Sequence, residues 1–165
     1  IDNDIVEDRN LKTQNYLMEH LGKPKSEMTK MILSRTIKKL SYTSINKRIT
    51  KDNLPKFEND SLIIDCFDNS ESRELLYNIK NVSVLHAGFN PEFIGEIIWN
   101  ENYSVPGKIT SPIDICTLNA AGSFIRMFSA ILSNVVIDYI DENIKNEFII
   151  KKYQITKFYM FEISN

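Results

Sequence analysis

The chain has 165 residues, 42% of them hydrophobic, with 20 basic against 22 acidic side chains and a formal net charge of -2. That is enough apolar material for one sizeable core, without the strong positive field by which nucleic-acid binders displace counterions. Two cysteines, Cys66 and Cys116, outside any C-x-x-C pair give neither a disulfide framework nor a four-cysteine zinc site, and neither an apolar run of bilayer length nor a basic leader is seen, so a soluble, cytoplasmic protein with no nucleic-acid or membrane partner is expected.

In chain order, Ile1-Asp2 reads as the last apolar residue of a strand and its carboxyl-end acid, so the fold is expected to begin upstream of this chain. A helix is predicted from Leu11 to about His20, with Asn10 as N-cap and Gly22 as the stop. A second starts at Pro24 and runs to about Leu40, with an incomplete apolar stripe. Ser44 to Ile49 alternates weakly, as a short edge strand does. Ser61 to Phe67 is a continuous apolar run ending in acids, the pattern of a central parallel strand covered on both faces, with Cys66 packed inside it.

Asp68-Asn69-Ser70 then supplies capping groups for a helix from Glu71 to Lys80. Val82 to Ala87 and Phe93 to Trp99 are further strands either side of a Gly88 to Pro91 turn. Strand, helix, strand in this order implies a βαβ unit and a mostly parallel sheet. Asn119 to Ile140 is expected to form a long helix with an apolar face, and Phe148 to Ile163 a closing hairpin or pair of strands. The fold class expected is α/β, a Rossmann-like three-layer sandwich forming a single domain over residues 1–165. It is expected to be truncated at its N-terminus and to lack the first βα unit.

Five glycines occur, at 22, 88, 95, 107 and 122, and none lies in a G-x-G-x-x-G or G-x-x-x-x-G-K-[ST] loop. Attention therefore falls on the carboxyl ends of the strands, where open parallel sheets bind ligands and where this sequence is acidic. Asp2-Asn3-Asp4-Ile5-Val6, Asn10-Leu11, Gln14, Gly22-Lys23-Pro24-Lys25, and Asp65-Cys66-Phe67-Asp68-Asn69 with Arg73 stand in order and spacing. Together they resemble the pattern D-x-D-x-V-x-x-x-N-L-x-R-Q, G-x-x-K, D-x-x-D-N-x-x-x-R of the E1-like adenylation domains (ThiF, MoeB and the ubiquitin-activating enzymes). The resemblance is close from Asp2 to about Trp99 and fades to a shared long helix beyond.

That resemblance implies an ATP-dependent adenylyltransferase acting on the C-terminal carboxylate of a small ubiquitin-like protein or peptide, working as a homodimer or heterodimer, with ATP and Mg²⁺ as cofactors. It assigns Asp2 to the ribose, Lys25 to the phosphates, Asp68 to Mg²⁺, Asn10 and Asn69 to the lining of the site, and Arg73 to orienting the loop. The residues alone also support plainer readings. Asp68 and Asn69 suit a helix cap, Lys25 a solvated helix start, Arg73 a surface ion pair and Asp4 a loop-shaping acid. Cys116 is the candidate thioester cysteine, or else a small buried hydrophobe. His20 ends a helix and suits its dipole, while His86 sits in a strand without a spaced metal partner.

Three departures separate the chain from the pattern. Thr13 replaces the arginine, and neighbouring Lys12 lacks the planar fork that grips phosphate. The glycine-rich loop and the paired C-x-x-C motifs are missing. A non-catalytic pseudo-E1 partner subunit or docking domain is the rival expectation, and a dinucleotide-binding dehydrogenase half a third.

Overall fold

The computed structural model describes residues 1–107, 113–152 and 154–158. The chain forms two compact units, Ile1–Leu54 and Pro55–Asn165.

The N-terminal unit is built on an antiparallel bridge between Ile5 and Pro24. The Val6 N–H donates to the Lys23 carbonyl at 2.9 Å, the Gly22 N–H returns to the Val6 carbonyl at 2.9 Å, and the Lys25 N–H donates to the Asp4 carbonyl at 2.8 Å. Gly22 has φ of 75°, the left-handed conformation that lets the chain reverse before the helix. Helix α1, Lys25–Thr36, follows with Pro24 as its N-cap residue, and Val6, Met28 and Ile49 are buried.

The helix expected over Leu11 to His20 is absent. Two short 3-10 turns, Asp8–Asn10 and Met18–His20, bracket that segment instead. Within the segment a local side chain wins a backbone group that a helix needs: the His20 ring Nδ1 accepts from the Leu17 N–H at 3.0 Å, while just ahead of it the Asn10 carboxamide oxygen accepts from the Glu7 N–H at 2.8 Å. Helix α1 also stops short of Leu40. Ser34 and Thr36 turn their hydroxyls back onto the Met31 and Ile32 carbonyls, and Ile37 is extended. Ser44 to Ile49 forms no strand, although the Asp2 N–H donates to the Ile45 carbonyl at 3.1 Å.

The second unit is a five-stranded sheet in chain order: β1 Leu62–Asp65, β2 Ser83–Phe89, β3 Ile94–Trp99, β4 Glu147–Lys151 and β5 Gln154–Phe158. Helix α2, Ser70–Tyr77, joins β1 to β2, and helix α3, Ala121–Glu142, lies between β3 and β4. The α/β architecture stands, but the expected mostly parallel sheet does not: only β1 and β2 run parallel, and the other three pairs are antiparallel. The four-residue turn Asn90–Phe93 and the tight β4–β5 hairpin are too short for the crossover that parallel neighbours require. Asn90 closes its turn by accepting from the Ile94 N–H at 3.0 Å, and Phe93 takes φ of 58°.

Strand β1, expected at the centre and covered on both faces, is an edge strand of this sheet, with Ile64 exposed. Cys66 follows the strand rather than packing inside it, and it too is exposed. The hairpin's expected continuation to Ile163 lies outside the described residues.

Alternation along the strands sorts side chains to two faces. Leu85, Ala87, Ile97, Trp99 and Ile150 pack with Phe124, Phe128 and Val135 of α3 into one core. Burial of each large side chain there stabilises by about 1.5–3 kcal/mol. Against the expectation that no apolar run reaches bilayer length, helix α3 is long and apolar enough to cross a membrane by length and composition alone, and this face of it covers the sheet. Asn143 in the left-handed conformation ends it. The opposite face of the sheet carries His86 and faces Arg73 of α2, so the sheet lies between the two helices.

Candidate functional site

In the second unit the chain leaves β1 at a buried acid. One carboxylate oxygen of Asp65 accepts from the Phe67 N–H at 2.9 Å, which turns the backbone sharply after the strand. Asn69 then caps α2, its side-chain oxygen accepting from the Ser72 N–H at 2.8 Å while its carbonyl accepts from the Arg73 N–H at 3.2 Å. Between these two anchors Asp68 is exposed, and no hydrogen bond or ion pair engages its carboxylate among the described residues. The cap and the free acid are thus separate side chains: Asn69 caps and Asp68 projects.

Arg73 is buried. Its guanidinium donates to the Tyr103 hydroxyl at 2.9 Å and to the Ala87 carbonyl at 3.2 Å, and lies 3.9 Å from Asp65. Gly88 makes room for it, because a Cβ there would stand 2.4 Å from an Arg73 nitrogen. Arg73 therefore ties α2 to β2 and is no surface ion-pair residue.

Beside it lies a network that the sequence did not disclose. His86 and Asp65 are register partners on parallel strands, with ring Nδ1 and carboxylate Oδ2 2.7 Å apart. Tyr103 stacks on the His86 ring at 3.6 Å with the planes 8° apart. Burial pushes the Tyr103 hydroxyl up, with Arg73 pulling the other way. A strand histidine three residues before a turn carries no local signal, since its partner acid is 21 residues away and meets it only through strand pairing.

In the N-terminal unit, Lys25 opens α1 and its ammonium meets Asp4 at 3.1 Å, with only 14% of the lysine side chain exposed. Asp4 is thus the lysine's partner. Asp2 accepts from the Asp4 N–H at 2.8 Å, leaving its second oxygen available. Asn10 is buried and spends its carboxamide oxygen on the Glu7 N–H. Thr13, at the arginine's position, is buried with its hydroxyl turned toward the Arg9 carbonyl at 3.5 Å. His20 ends a 3-10 turn rather than an α-helix, so no helix dipole acts on it. It is fully buried, with Nε2 lacking a hydrogen-bond partner in the described structure. Cys116 is half-buried in the turn Ile115–Thr117, where its N–H donates to Asp114 at 2.9 Å.

The described residues hold no cluster of three or more His, Cys, Asp or Glu fit for a metal.

The family model described as ThiF family matches residues 1–160. The chain belongs to the ThiF family. Among solved structures, E. coli MccB, crystallised with succinimide, superposes with a TM-score of 0.70 at 18% identity over 95% of this chain and 53% of its own. Selenomethionine PaaA superposes with a TM-score of 0.66 at 16% identity over 97% of this chain and 63% of its own. The chain thus spans less than two thirds of either relative, and at these identities the likeness concerns the fold. A search of curated protein sequences finds no match.

Proposed function

We propose that this ThiF-family chain serves an ATP-dependent adenylyltransferase that activates the C-terminal carboxylate of a small ubiquitin-like protein or peptide in the cytoplasm. A carboxylate oxygen of the substrate bonds to the α-phosphorus, the bond from that phosphorus to the departing pyrophosphate breaks, and an acyl-adenylate remains. The observation that carries this reading is Asp68, an exposed, unengaged carboxylate pinned on both sides at the carboxyl end of β1.

In this reading Asp68 holds Mg²⁺, which when bound neutralises charge on the phosphates and on the leaving pyrophosphate. Arg73 fixes the position of α2 behind that loop, and Asn69 holds the turn. In the N-terminal unit Asp2 offers its second oxygen to the ribose. Lys25 exchanges its bond with Asp4 for phosphate oxygens at the start of α1, where unpaired backbone N–H groups favour anions. Asn10 supports the turn that carries these residues. A dimer, with itself or with a related subunit, belongs to the same proposal.

The test is ATP–pyrophosphate exchange by the full-length gene product, driven by candidate carboxylate peptides. Exchange is expected, and Asp68→Ala should lower it on the order of 10²-fold. Exchange untouched by Asp68→Ala would remove the assignment.

The rival reading, a pseudo-E1 subunit without catalysis, is favoured by one observation. The buried Thr13 hydroxyl is directed at backbone and supplies nothing like a phosphate-gripping guanidinium. A full-length protein that binds a related subunit but neither ATP nor pyrophosphate would establish it.

A further inference from the structure

We propose that His86 is a positioning residue for Asp68, a doubly protonated clamp that holds Asp65 and, through it, the loop after β1. This rests on the reading of Asp68 as the magnesium carboxylate. The first support is hydrogen-bond bookkeeping. The Asn100 side-chain nitrogen donates to the Tyr77 carbonyl at 3.2 Å, which fixes the amide so that its oxygen faces His86 Nε2 at 2.9 Å. The other ring nitrogen faces the Asp65 carboxylate at 2.7 Å. With Asp65 ionised beside Arg73, both nitrogens look at acceptors, and a ring with a proton on each satisfies both.

The surroundings suit that cation. Tyr103 lays its ring flat against it, a face that attracts positive charge. Asp65 supplies the opposite charge, while Arg73 shares the same carboxylate at a longer 3.9 Å. Asp65, His86, Tyr103 and Arg73 are all buried. The remaining ionisable groups felt here are Cys66, beside Asp65, and Glu96, toward Tyr103.

The consequence travels through two bonds. With its Oδ2 held by the ring, Asp65 keeps its Oδ1 on the N–H of Phe67, the residue immediately before Asp68. Asn69, immediately after, is fixed by its own cap bond. Removing the imidazolium frees one of the two anchors and lets the Asp68 backbone swing. Partners that orient a ligating side chain in this way typically change metal affinity by about 10- to 100-fold when lost.

The experiment is pyrophosphate exchange by the full-length protein, titrated with Mg²⁺. His86→Leu should raise the Mg²⁺ concentration for half-maximal exchange by about 10- to 100-fold, with the rate at saturating Mg²⁺ much less affected. His86→Gln, which can still donate to Asp65, should recover part of the shift. A wild-type Mg²⁺ requirement in His86→Leu, alongside an inactive Asp68→Ala, overturns the clamp and leaves the site reading intact. Full exchange in Asp68→Ala overturns the site reading itself. Nitrogen-15 NMR of the histidines in the wild-type protein decides the matter even where His86→Leu fails to fold. Two protonated ring nitrogens on His86 uphold the clamp, and a ring with one overturns it.

Discussion

Replacing Gly95 with alanine is the sharpest test of how the second unit is packed. Gly95 lies on β3 facing α3, and a Cβ built there would stand 2.6 Å from each of two ring carbons of Phe128. Carbon atoms pack comfortably at about 3.5 Å or more, so the ring or the strand must give by roughly 0.9 Å. Neither yields cheaply. Phe128 is buried with its ring edge-on to Phe89 at 5.2 Å and beside Phe124 at 6.3 Å, while Gly95 pairs with Phe89 and Ile150 on the neighbouring strands. Overpacking of this kind costs about 1–3 kcal/mol, which for a chain of this size lowers the thermal midpoint by roughly 2–4 °C per kcal/mol. Urea and thermal unfolding of Gly95→Ala, Phe128→Leu and the double variant measure it. The double variant should be more stable than the sum of the single losses, because the smaller side chain makes room for the methyl group. Additive losses, or a Gly95→Ala variant within about 0.5 kcal/mol of wild type, would refute the packing argument.

Asn69→Ala removes the side-chain cap of α2 and should cost about 1 kcal/mol of stability, read from denaturant midpoints. Lys25→Met should raise the ATP concentration for half-maximal exchange at least about tenfold, the worth of one charge-assisted hydrogen bond; an unchanged requirement would leave Lys25 only its bond to Asp4. At alkaline pH, burial holds the Tyr103 hydroxyl above its ordinary value despite Arg73. Its folded pKa exceeds the unfolded one, so its contribution to stability is full below about pH 10 and falls as pH rises toward the folded value. Tyr103→Phe should flatten the alkaline decline in unfolding midpoint, and an identical decline in both proteins would count against this origin.

Much of this protein can be read along the chain. The periodicity of Ala121–Glu142, the apolar runs at β1, β2 and β3, and the capping residues ahead of Ser70 all report local preferences, and each becomes the expected element within a few residues. The ordered spacing of Asp2, Asn10, Lys25, Asp65, Asp68, Asn69 and Arg73 is likewise a one-dimensional signal, and it led to the family that residues 1–160 match. Where side chains compete for backbone, the reading failed. His20 captures the Leu17 N–H that a helix over Leu11 to His20 would have used, and no propensity scale registers that capture.

What the tertiary structure alone decided are properties of pairing. A continuous apolar strand reads the same at the centre of a sheet as at its edge, so the position of β1 and the mainly antiparallel sheet emerged only with the register. The same pairing turned Arg73 from a surface residue into a buried tie between α2 and β2, and set His86 against Asp65. Sequence determines local periodicity and the chemistry on offer. Which distant side chains share a low-dielectric interior, and hence which charges must satisfy one another, is fixed only when strands far apart in the chain lie side by side.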